Sequence, residues 1–134
     1  MIEVELVGGE LLAAAAPAQE EMRRLCELAA ARLGVRDGHV AVELVSEERI
    51  AELNARHRGK PQPTDVLSFP IDGAEPLAGG APRELGDIVI CPAQTADVRE
   101  AVVHGMLHLL GMDHERDHGE MLTLQGELLS AAPS

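Results

Sequence analysis

A chain of 134 residues has room for one domain with one core and is too short for two ordinary ones. Hydrophobic residues at 46% and charged residues at 25% are the proportions of a soluble globular protein, and a formal net charge of −12 makes a poor global field for meeting RNA or DNA. With one Phe (Phe69), no Tyr and no Trp, the core must be aliphatic, and any base stacking falls to Phe69, His or Arg.

Ile2, Val4 and Leu6 alternate with Glu3 and Glu5, the period of two that marks a half-buried strand. No basic segment precedes it, and the run LLAAAAPA (residues 11 to 18) is too short to cross a membrane, so the chain is read as cytoplasmic without a membrane partner. AQEEMRRLCELAAARLG carries Met22, Leu25, Leu28, Ala29 and Leu33 at helical spacing, with Gly34 as its stop. HVAVELV, residues 39 to 45, is a second strand. Ser46 then caps a helix with Glu47 and Glu48 in its first turn, where the helix dipole favours them. That helix runs through Ile50 and Leu53 to about Arg58, where Gly59 ends it. KPQPT leads into DVLSFPI, a third strand, and residues 72 to 83 hold turn chemistry without a period, as expected of a mobile surface loop. LGDIVIC is a fourth strand, and Pro92 marks a helix start. One helix then carries the histidines and ends at Gly111; a last one runs from about Glu115 to Leu129. Cys26 and Cys91 read as small buried thiols of a reducing compartment. The expected architecture is a single α/β domain over residues 1–134, a small mixed four-stranded sheet packed with helices.

The chemistry concentrates in HGMLHLLGMDH, residues 104 to 114. His104 and His108 stand four apart in a helical segment, so both imidazoles leave one face, a common way to offer two nitrogen ligands to a metal. Gly111 permits a left-handed reversal that brings His114 back as a third ligand. One buried histidine is usually a hydrogen-bonded core residue. Three with a helix-ending glycine at this offset are hard to explain by packing, since each costs desolvation in an apolar segment. Three neutral histidines suit one Zn²⁺ per chain and leave a fourth position open, as in catalytic sites, where zinc lowers the pKa of bound water to ~7.

His39 and His118 are taken as ordinary strand or surface residues, with His118 an outside candidate for a further ligand. Asp113 either orients a ligand or caps the last helix. The same spacing occurs in metzincin peptidases, which carry Glu directly after the first His; here that residue is Gly105, and the peptidase reading loses its general base. Four of the eleven basic residues (Arg49, Arg56, Arg58, Lys60) fall within twelve positions, joined by His57. Arg58 offers a planar donor fork that matches a phosphate, or is a solvated helix-end residue. Arg56 and Lys60 read as rim charges.

HGMLHLLGMDH resembles the signature of the bacterial YbeY family of endoribonucleases, approximately H-G-x-L-H-L-x-G-Y-D-H. LNARHRGKPQPTDVLSFP (residues 53 to 70) and ELGDIVICP (84 to 92) resemble two further blocks of that family, in the same order. The resemblance implies a zincin-like metal site on a helix and the following turn, a zinc ion held by His104, His108 and His114, and a functional arginine at Arg58. It implies cleavage of single-stranded RNA in small-subunit rRNA maturation and ribosome quality control; the acidic charge of the chain suggests that ribosomal or ribosome-assembly proteins, rather than bare RNA, recruit it. Thr64, Asp65 and Ser68 match the block as turn and strand residues around the site, and Asp87 as a structural one. Met112 and His57 stand where the family has Tyr. The interval from Cys91 to His104 is short for the family, whose chains place a long helix there. Two alternatives remain from the residues: a zinc-dependent metallopeptidase-like hydrolase, and a ribosome-associated binding factor in which the metal is mainly structural.

Overall fold

The computed structural model describes residues 1–9, 19–72 and 83–132. The chain runs β1 (Ile2–Val7), α1 (Gln19–Arg32), β2 (Gly38–Leu44), α2 (Glu47–Arg58), β3 (Val66–Pro70), β4 (Glu84–Ile90), a single 3₁₀ turn (Pro92–Gln94), α3 (Val98–Leu109) and α4 (Glu120–Ala131). The four strands form one sheet in the order β1-β2-β4-β3. β1, β2 and β4 are parallel, and β3 joins the edge antiparallel to β4. The mixed four-stranded sheet with helices is the α/β domain that the sequence pattern predicts.

Alternation along the strands divides the interior. Ile88 and Ile90 of β4 belong to the larger apolar cluster, which takes in Val40, Val42, Leu25, Met106, Leu107 and Met121 from β2, α1, α3 and α4. Val89 and the following Cys91 face the other way, toward Ile50 of α2 and Leu67 of β3. α1, α3 and α4 therefore cover one face of the sheet and α2 part of the other. Both cysteines are buried and free; burial pushes the Cys26 thiol up to about 12, so it stays protonated and unreactive.

Local signals account for most boundaries. Ser46 Oγ accepts from the Arg49 N–H at 3.2 Å, and Gly59, at φ 70°, ends α2. At Gly86, φ is 145°, and an added Cβ would stand 2.4 Å from the Phe69 carbonyl oxygen and 2.7 Å from Leu109. Only glycine lets β3 and α3 approach β4 this closely, at the point where the β2–β4 register shifts.

Two boundaries differ from expectation. Pro92 opens one 3₁₀ turn only, because Thr95 is extended and its hydroxyl turns back to the Cys91 carbonyl (2.7 Å); α3 starts afresh at Val98, capped by Asp97. The last helix begins at Glu120 and not near Glu115. Asp117 accepts from the N–H groups of Gly119 and Met121 (both 2.9 Å), and Gly119 at φ 100° precedes the first turn. The loop expected over residues 72 to 83 lies, apart from its ends, outside the described residues, as does LLAAAAPA. Among the described residues no helix is long and apolar enough to cross a membrane.

Candidate metal centre

α3 presses its apolar side into the core through Val102, Val103, Met106 and Leu107, all fully buried. That fixes the azimuth of the helix and leaves the half-buried His104 and His108 together on the side facing a cleft. After Leu110 the chain reverses at Gly111, whose φ is 101°. An added Cβ there would meet nothing within 4 Å, so the glycine serves the dihedral and not the space. Asp113 then braces the turn: its Oδ1 accepts from the Glu115 N–H (3.0 Å), and its carbonyl from that of Arg116 (3.1 Å). His114 is thereby delivered opposite the two helical histidines. Asp113 caps this turn, whereas Asp117 caps α4.

One nitrogen from each of the three rings lies within 4.8 Å of the others. Ligand atoms on a tetrahedral zinc stand about 3.3 Å apart, so an ion touching all three asks for small side-chain adjustments only. The rings meet at 59° to 74° and do not stack, with centroids 4.9 to 5.4 Å apart. His118 is exposed and outside this group, and His39 sits on β2 bonded to Glu84 (2.8 Å).

Protonation suits a cation. Burial, followed by the neighbouring His104 and His114, lowers the pKa of His108, against a hydrogen bond to the Met112 backbone and the charge of Asp113. His108 is thus neutral at pH 7 with a lone pair to give. Nδ1 of His114 is buried without a hydrogen-bond partner among the described residues, a nitrogen the protein itself does not satisfy. A pH effect follows. Free histidine takes a proton near 6.5, and folded His108 only below that. Between those values the unfolded chain binds more protons, so stability falls as pH drops below about 6.5. Thermal melts in chelator at pH 8 and pH 5.5 should show a smaller acid loss for His108→Ala than for the wild type; equal losses would contradict the assignment.

The cleft beside the histidines has a volume of about 830 Å³ and is also lined by His57, Arg58, Asp65, Phe69, Asp113 and Glu115. Arg58, on the last turn of α2, reaches Glu115 at 3.8 Å across it. Its position is secured from below: the buried Asn54 donates from Nδ2 to the Gln62 carbonyl (2.9 Å), tying the proline-rich segment to the helix end. Arg49 and Arg56 turn instead to Glu52, at 3.2 and 3.4 Å on the outer side of α2. Asp65 accepts from the Val66 N–H (2.8 Å), and Ser68 donates to the Gly105 carbonyl (3.2 Å), the turn and strand duties the sequence suggests. Asp87 pairs with Phe69 in the β3–β4 register and is not among the residues that line the cleft.

Two residues of the site are not singled out by the sequence pattern. Glu115 directly follows His114 and shares the cleft with Arg58. Gln125 of α4 bonds to His104 Nδ1 at 2.8 Å; its only signal is one amide on an otherwise apolar helical stripe.

Residues 12–132 match the family model described as Endoribonuclease YbeY. A Thermobifida fusca protein named Endoribonuclease YbeY is 43% identical over 135 positions, covering 85% of this chain and 86% of that one. The Bacillus subtilis protein of the same name is 39% identical, covering 84% of each. The solution structure of a Thermotoga maritima protein superposes with a TM-score of 0.56 at 30% identity, over 98% of this chain and 89% of that one. The 135 aligned positions exceed what 85% of this chain can fill, so some of them face gaps in it. With a match along most of its length, and with the histidine and arginine blocks meeting in one cleft, this chain belongs to the YbeY endoribonuclease family.

Proposed function

We propose that this protein is a zinc-dependent endoribonuclease that cuts single-stranded RNA during small-subunit rRNA maturation in the cytoplasm, with ribosomal or assembly proteins as partners. His104, His108 and His114 hold one zinc ion, and Arg58 holds the scissile phosphate. The observation that carries this reading is the convergence of three histidine nitrogens within 4.8 Å beside an arginine in one open cleft. The curated relatives, named endoribonucleases, supply the reaction class.

The charge balance supports it. Among the described lining residues, Arg58 is the one permanent cation, facing Asp65, Asp113 and Glu115. A polyanion would be repelled by that set alone. Zinc bound to the histidines supplies positive charge and a Lewis acid for a phosphoryl oxygen. Arg58 can fork onto two phosphate oxygens and offset charge in the transition state. Its link to Glu115 is no obstacle, since an exposed pair is worth about 0–1 kcal/mol. His57 and Phe69, with ring centroids 4.6 Å apart, offer a base a surface to stack on, the role left to them in a chain without Tyr or Trp.

A structural metal is less well supported, because structural zinc sites close with four protein ligands, and here three histidines face an open cleft. Arg58→Ala tests the arginine. Cleavage of single-stranded RNA should fall about 100-fold, by analogy with the loss of one transition-state donor, with zinc content unchanged. Arg58→Lys should recover only part of it, because an ammonium lacks the fork. Full activity in Arg58→Ala would remove Arg58 from the reaction.

A further inference from the structure

α4 meets the core through Met121, Leu124 and Leu128, and Gln125 sits among them with 8% of its surface exposed. An amide at such a position is costly unless it is hydrogen-bonded, and a leucine would fill the stripe without that cost. The bond Gln125 makes is to His104, 21 residues earlier, with 2.8 Å between Oε1 and the ring Nδ1. A carboxamide oxygen can only accept. His104 must therefore carry its proton on Nδ1, which leaves the lone pair on Nε2.

We propose that Gln125 is a positioning residue of the metal centre: its side-chain oxygen fixes the His104 tautomer and ring orientation so that Nε2 is presented to the ion shared with His108 and His114. The inference rests on the reading of those histidines as a metal site and adds to it a part supplied by a different helix. Gln125 reaches His104 from the side of α4 and is not among the residues that line the cleft, so it supports the ring from behind.

Gln125→Met keeps the length and flexibility of the side chain and removes the strong acceptor; Gln125→Glu keeps an acceptor. Zinc affinity is measured by competition with a chelator, and the His104 tautomer by ¹⁵N chemical shifts of the metal-free protein. The wild type should show the Nδ1–H form. Gln125→Met should bind zinc 10- to 100-fold more weakly, the range typical of lost outer partners, with unchanged far-UV circular dichroism. Gln125→Glu should match or exceed the wild type. A folded Gln125→Met that binds zinc like the wild type would overturn the proposal, as would equal weakening in both variants, which would mark Gln125 as a packing residue. If Gln125→Met does not fold, an Nε2–H tautomer in the wild type would overturn it. A wild type that takes up no zinc at all would instead bring down the metal-site reading.

Discussion

His108→Ala should leave a folded protein that has lost its zinc and, with it, the cleavage of RNA. His108 forms one corner of a nearly equilateral triangle of rings, with centroids 4.9 Å from His104 and 5.4 Å from His114. The ring is half-buried and faces the cleft, while the core side of α3 is made by its neighbours. Truncation thus opens space toward solvent and creates no closed cavity, and alanine is the better helix former. Binding is another matter. Structural zinc sites bind with about 10–16 kcal/mol, or roughly 2.5–4 kcal/mol for each of four ligands. Removing one ligand of three should then weaken zinc about 100- to 1000-fold. Elemental analysis of untagged protein should find about one zinc per wild-type chain and next to none in the variant, with matching circular dichroism. Loss of fold on this substitution would favour a structural metal. Zinc retained at full affinity would remove His108 from the ligand set.

The parts of this molecule that were legible in its sequence are those set by local chemistry. α2 can be read whole, from Ser46 through its acidic first turn to Gly59, because each of those residues acts on backbone groups within four positions. The histidine cluster is nearly as local: His104 and His108 share a face by helical period, and Gly111 has the reversal that returns His114. Gln125 was out of reach because its partner lies on another helix, and an amide on an apolar stripe does not name what it bonds. The start of α4 lies five residues beyond the one its helix-compatible sequence suggests, for a related reason. Glu115 and Arg116 are acceptable helix residues, but the turn that delivers His114 needs the chain out of helix there, and Asp117 with Gly119 restarts it five residues later. Pro92 signalled a helix start correctly in kind, and the extended Thr95 cut it to one turn. Arg58 could be placed at a helix end from sequence alone; that this end opens onto the histidines depends on β3 packing beside α3.

Gly105→Glu, which would place the peptidase-type glutamate after the first histidine, should fail to fold and should gain no peptidase activity. Position 105 does not face the cleft: an added Cβ would stand 2.6 Å from Ile88 Cγ2 and 3.2 Å from Ser68 Oγ. Ile88 is fully buried between β2 and β3, and its branched side chain has nowhere to retreat. Gly105→Ala gauges the steric part. Overpacking costs about 1–3 kcal/mol and the gain in helix propensity returns about 1, so a net loss of about 0–2 kcal/mol and a melting point lower by up to about 8 °C is expected. Glutamate adds one more methylene and a carboxylate against an apolar sheet, at several kcal/mol more. That total approaches the roughly 5–15 kcal/mol that holds a domain of this size together. The glycine is therefore the condition for α3 to lie close on β4 and aim its histidines at the cleft. Expression and melting of the two variants, with casein and single-stranded RNA as substrates, decide the matter. A folded, zinc-bound Gly105→Glu that cut casein would show that position 105 reaches the metal after all, and would reopen the peptidase alternative that its packing against Ile88 now argues against.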